Sequence, residues 1–158
     1  MTQPLGILER RRIEAEILKP VYEEMVARFG EEVAQEVLGT AVSKAAAAAA
    51  ETFARAEPNG TSIETFAGIM PLWQKDDALR MEVKRQDETH FDFDVKRCRY
   101  AEMYREMGLG HIGHLLSCNR DAAFCTGYDP KLKMTRTQTI MQGADHCDFR
   151  YTYEDDKS

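Results

Sequence analysis

Cys118-Asn119-Arg120-Asp121 is the densest chemical phrase in this chain. A thiol and a carboxylate three residues apart share one face of a helix. A nearby carboxylate raises a thiol's pKa, so Cys118 needs a histidine or a cation beside it to act as a nucleophile. Arg120, Arg136 and His146 are the candidates. His146 follows Asp145 at the head of a strand-like stretch, where an imidazole serves as base to a thiol or as a metal ligand. The structural alternative is a packed thiol and an aspartate that caps or salt-bridges.

The stretch from Leu132 to Ile140 puts Leu132, Met134, Arg136, Gln138 and Ile140 on one strand face. Thr135, Thr137 and Thr139 take the other. Two polar residues on the apolar face predict that it lines a wet cavity. A guanidinium and an amide there suit a planar, anionic or amide-bearing ligand, because arginine pairs bidentately with carboxylates. An edge strand with solvated side chains is the alternative. In the last strand, Cys147, Phe149, Tyr151 and Tyr153 share one face, with Asp148, Arg150 and Thr152 on the other.

No close pair such as C-x-x-C or H-E-x-x-H appears. A zinc site would need dispersed ligands: Cys98, Cys118 and Cys147 with one of His111, His114 or Asp121. Four cysteines are also enough for two disulfides, but their irregular spacing favours free thiols. The cytoplasm, a reducing compartment, is the expected location. Met1 to Arg12 turns charged at once and carries no signal-peptide core.

The elements that must position these groups follow from periodicity. Leu5 to Phe29 and Glu31 to Glu57 read as two long helices, with Pro20 expected to kink or divide the first. The second contains the run Ala45 to Ala50, small enough for another backbone to approach closely. That run packs within the monomer or forms a subunit contact. Thr61 or Ser62 caps a third helix, which Pro71 interrupts. From Ala78 the period changes to two. Leu79, Met81 and Val83 alternate with charges, as do Phe91, Phe93 and Val95, and Gln86 to Thr89 fits the hairpin loop. Arg99 to Met107 and Ile112 to Phe124 return to helical period, and Leu132 to Ile140 and Cys147 to Tyr153 are the last strands. The class is α+β: N-terminal helices packed on a small antiparallel sheet of about four strands. The 158 residues suit a single domain, with a helical scaffold over 1–77, the sheet and site over 78–153 and a polar tail over 154–158.

Hydrophobic residues make up 43% and charged residues 30%, the balance of a soluble globular chain. A net charge of −6 argues against a nucleic-acid partner, and no apolar run approaches a membrane span.

The C-terminal phrases resemble the L-2-amino-thiazoline-4-carboxylic acid hydrolase family. They are Val95-Lys96-Arg97-Cys98-Arg99-Tyr100-Ala101-Glu102, Tyr104-Arg105-Glu106-Met107-Gly108-Leu109, Cys118-Asn119-Arg120-Asp121, Gly127-Tyr128-Asp129-Pro130, Arg136-Thr137-Gln138-Thr139-Ile140-Met141-Gln142-Gly143-Ala144 and Cys147-Asp148-Phe149-Arg150-Tyr151. The resemblance implies a hydrolase that opens a small carboxylate-bearing N-heterocycle at a cyclic C–N bond. In that reading Cys118 attacks, Asp121 or His146 moves protons, and Arg136, Thr137, Gln138 and Asp148 bind substrate. It requires no cofactor; a zinc-activated water is the other mechanism. A more distant resemblance is to small ligand-binding domains of the vinyl-reductase type. A non-catalytic small-molecule sensor and a zinc-stabilised interaction module therefore stand as alternatives. A homo-oligomer, most simply a two-fold dimer, is expected from the alanine-rich helix and the apolar N-terminal positions.

Overall fold

Two long helices open the fold. α1 (Ile7–Phe29) and α2 (Glu31–Arg55) are joined by Gly30, whose φ of 88° is one that glycine adopts without strain. α2 turns back along α1, and Gln35 donates to the Tyr22 hydroxyl at 3.3 Å. A computed structural model of the chain describes residues 5–154; the expected tail from 155 onward lies outside them. Pro20 does not divide α1, which runs unbroken through it. It sits on the exposed side, where solvent can reach the carbonyl left without a donor.

α3 (Ile63–Ile69) is started by a capping box: Ser62 accepts from the Thr65 amide, and Thr65 accepts from the Ser62 amide. The single turn α4 (Pro71–Gln74) then begins at proline, which needs no donor in a first turn. β1 (Leu79–Gln86) and β2 (His90–Cys98) form a hairpin closed by Asp87, which accepts from the Thr89 and His90 amides at 2.9 Å each. α5 (Arg99–Glu106) starts where the Cys98 sulfur accepts from the Ala101 amide.

A π-helical turn, His114–Cys118, leads into α6 (Asn119–Tyr128), where periodicity predicts a plain helix over Ile112 to Phe124. The Asn119 amide reaches back to the His114 carbonyl, five residues earlier. Its side chain donates to the Gly39 carbonyl and to Ser43, both at 2.9 Å, which ties the wide turn to α2. β3 (Leu132–Thr135) and β4 (Cys147–Tyr153) complete the sheet. The third strand is shorter than its alternation suggests. Past Thr135 the backbone leaves the ladder, and the Thr137 and Gln138 amides donate instead to the Asp148 carboxylate at 2.9 and 3.0 Å.

The four strands run antiparallel in the order β1-β2-β4-β3. Phe91, Phe93, Val95, Cys147 and Tyr151 are buried toward the helices. The outer face carries charge: Asp94, nearly buried, is paired with Arg150 at 3.0 Å and lies within 4 Å of Lys84 and Lys96. One apolar cluster joins α1, α2, α5 and the π turn; another joins α2, α3, α6 and the sheet. Among the described residues no helix is long and apolar enough to cross a membrane.

Candidate functional site

Between the two apolar clusters lies a cavity of about 440 Å³. α2 supplies Ala45, Ala46, Ala49 and Phe53; β2 and β4 supply alternate residues, Phe93 and Val95 from one, Cys147, Phe149 and Tyr151 from the other. The period-two alternation turns those side chains to the helical side. Charged groups gather at one end.

Asp121 and Arg136 form the tightest pair there, at 2.6 Å. The same guanidinium donates to the Cys118 carbonyl at 3.3 Å and stands 5.1 Å over the Phe149 ring. Arg120 donates to the Leu116 carbonyl at 2.7 Å and to Glu14 at 3.2 Å; Arg11 donates to Glu14 at 3.0 Å. Ser117, in the lining, shares a hydrogen bond of 2.7 Å with the buried Tyr104 behind it.

Desolvation dominates the electrostatics. Burial pushes the Asp121 carboxyl up to about 6, against the pull of Arg136, the largest opposing influence. The side chain keeps 27% of its surface accessible, and that surface opens onto the cavity it lines. Burial, and then the Asp121 charge, drive the Cys118 thiol far above its usual range. Burial lifts Cys98 to about 11 and raises Cys147 as well. All four cysteines are free and none pairs in a disulfide. The cavity's sulfurs therefore rest as thiols at neutral pH.

Cys118, Asp121 and Arg136 thus meet at one end of the cavity, together with Cys98 and Cys147. His146 lies outside the lining. It is bonded to Asp145 at 2.5 Å, and its backbone carbonyl accepts from the Gln138 side chain. Thr137, Gln138 and Asp148 are also outside the lining and form a clamp. Asp148 accepts from both backbone amides and from the Thr137 hydroxyl, and these bonds outweigh burial and hold its pKa below the usual carboxylate range. The clamp fixes the loop that carries Arg136. Among the described residues, no three histidine, cysteine or acidic side chains converge in a metal-ligand arrangement.

Arg11 and Glu14 escape a reading of the sequence because they sit more than a hundred residues before Asp121. The available signal is the run Arg10-Arg11-Arg12 in a helix whose other face is apolar. Cys125 is no part of the site: it is buried and donates to the Leu132 carbonyl, away from the cavity lining.

Fold and site define an α+β protein whose helices and sheet line a ligand-sized, partly open cavity with one charged end. The chain belongs to the L-2-amino-thiazoline-4-carboxylic acid hydrolase family, whose model matches residues 10–151. No curated protein matches it. Among solved structures it is similar to the phenol-responsive sensory domain of the transcription activator PoxR with phenol. That match has a TM-score of 0.56 and 15% identity, and covers 87% of this chain and 73% of that one. It is also similar to a trafficking protein particle complex subunit 3 from Naegleria fowleri covalently bound to palmitic acid. Here the TM-score is 0.53 and identity 10%, covering 92% and 96% of the two chains. At such identities the likeness is one of fold.

Proposed function

We propose that the protein is a hydrolase that opens a small carboxylate-bearing N-heterocycle, of the 2-amino-thiazoline-4-carboxylate kind, by cleaving a cyclic C–N bond. The observation that carries this reading is the meeting of Asp121, Arg136 and Cys118 at the charged end of a partly open cavity, in a chain of that family. Arg136, with Arg120 and Arg11 nearby, is the partner for the substrate carboxylate. Asp121 is the proton carrier: a carboxyl poised near 6 is largely ionised at neutral pH yet able to accept and return a proton.

Cys118 rests as the thiol, so its proton leaves as the S–C bond forms. Sγ adds to the ring carbon and Asp121 takes the proton. The ring C–N bond then breaks, and Asp121 returns that proton to the departing nitrogen. Water releases the carbon from sulfur and restores the thiol. No cofactor is needed for these steps. His146 has no part in them, because it does not line the cavity. The reading belongs in the cytoplasm, where free thiols persist.

The same reading takes the protein as a two-fold dimer through α1, which leaves Ile13, Ile17 and Val21 exposed at helical spacing. Antiparallel pairing about Ile17 would set Ile13 against Val21 and Arg10 against Glu24, so apolar and charged positions both match.

One observation favours a second reading, a non-catalytic small-molecule binder. The wall beyond the charged end is mostly apolar and includes Phe53, Phe66, Trp73 and Phe124, and the similar PoxR domain is phenol-responsive. Mass spectrometry of 2-amino-thiazoline-4-carboxylate incubated with catalytic amounts of protein separates the two. Gain of one water by the bulk substrate is the expected result; binding without that gain rejects the hydrolase for this ring.

A further inference from the structure

The cavity is larger and more asymmetric than a single five-membered ring needs. 2-Amino-thiazoline-4-carboxylate has about nine non-hydrogen atoms. Even at the ~30 Å³ that a water molecule occupies in the liquid, it fills roughly 270 Å³. The cavity holds about 440 Å³.

The unfilled part is apolar. Phe53, Trp73 and Phe124 meet there, with ring centroids 5.2–5.9 Å apart. Along α2, Ala45 and Ala49 line the cavity before Phe53. Both alanines are exposed, although they lie in the middle of the helix. Their short side chains leave open a channel beside α2 where longer ones would fill it. The eight steps along the helix from Ala45 to Phe53 rise about 12 Å.

The charged end has the opposite character. In a chain of net charge −6, Arg11, Arg120 and Arg136 gather here against Glu14 and Asp121. Arg11, Arg120 and Arg136 keep only 12–15% of their side-chain surface. Largely buried guanidiniums in excess over carboxylates call for an anion from the ligand.

We propose that the ligand of this cavity is an amphipathic carboxylate. Its anionic head meets Arg136 and Arg120, and an aryl or alkyl group about 10 Å long runs beside α2 to Phe53, Trp73 and Phe124. This rests on the hydrolase reading only for the heterocycle at the head; the tail and the negative charge follow from the walls. The substrate is then a ring carboxylate bearing a sizeable apolar substituent. The unsubstituted ring binds with the apolar part of its pocket empty.

The test is calorimetric titration of the unmodified protein with phenylacetate, 4-phenylbutanoate, 6-phenylhexanoate and 8-phenyloctanoate, and with their primary amides. Affinity is expected to rise about fourfold per methylene while the chain fills apolar wall, then to level off as the ~12 Å channel fills. The amides are expected to bind at least tenfold more weakly than the acids. Ala49→Phe, at an exposed position that lines the channel, is expected to abolish the dependence on chain length, and a dependence that survives it overturns the proposal. Acids that bind equally well at every length, or amides that match the acids, overturn the proposal. The two readings fail separately. Turnover of the unsubstituted ring without chain-length dependence rejects the amphipathic ligand and keeps the hydrolase. Chain-length dependence without turnover does the reverse.

Discussion

Replacing Asp121 with asparagine turns the electrostatics of the site into a measurable stability. An unfolded aspartate titrates near 3.9, whereas burial brings Asp121 to about 6. Between those values the native state holds more protons than the unfolded state. Stability therefore falls as pH rises through the window, and the loss is complete above about pH 7. Two pK units correspond to about 3 kcal/mol. The asparagine side chain does not titrate but still offers Arg136 an oxygen at the same place. The loss of the Arg136 counter-charge adds an offset that does not depend on pH. The informative quantity is therefore the pH dependence of the difference between the proteins. Asp121→Asn should gain about 2 kcal/mol on the wild type between pH 4.5 and pH 7.5. Urea denaturation of both proteins across that range gives the curve. A difference that stays flat means that Asp121 titrates normally. One that slopes the other way means that the Arg136 pair, at 2.6 Å, outweighs desolvation. Either result removes the basis for Asp121 as a proton carrier poised near neutrality.

Cys118→Ser should lower turnover at least a hundredfold while the urea midpoint moves little; a near-normal rate would assign the attack to water rather than to sulfur. Gly127→Ala should cost about 1–3 kcal/mol in urea denaturation, since its Cβ would stand 2.7 Å from the Ala47 carbonyl oxygen. Gly39→Ala is the control, with ordinary contact at 3.5 Å to Leu115 and an expected effect within about 1 kcal/mol of zero. Ile17→Asp, at a position 64% exposed, should leave the fold intact and convert a dimer into a monomer in sedimentation velocity. An unchanged sedimentation coefficient would take the contact away from α1.

The elements are legible wherever one periodicity runs unopposed. The two long helices, the β1–β2 hairpin and the last strand lie within a few residues of where apolar spacing puts them. Departures occur where side chains compete for the backbone. Alternation alone extends β3 to Ile140, but the Asp148 carboxylate offers the Thr137 and Gln138 amides a better acceptor than a continued ladder. Helical period alone runs through Cys118, whereas Asn119 is held by α2 and the turn before it widens. In the site, Cys118, Asp121 and Arg136 are legible because they sit in short polar phrases. Arg11 and Glu14 are not, because no local pattern links the first helix to residues a hundred positions later. Nor does sequence spacing reveal that His146 lies outside the cavity lining while Cys147 beside it is part of it.

The π turn at His114–Cys118 has a consequence for how this family can vary. It adds one residue to the chain without lengthening the element it belongs to. Deleting one residue there would tighten the wide turn into an ordinary helical one and leave the residues after it in place. Asp121 and Phe124, three apart on one face of α6, would keep their places in the cavity lining. The change would fall on the turn itself, whose Leu116 and Cys118 carbonyls seat Arg120 and Arg136. The segment can therefore lose a residue without disturbing the helix beyond it, and the two guanidiniums feel the loss. A gap of one residue between Gly113 and Asn119, in any related chain, would mark a pocket with the same walls and a rearranged charged end.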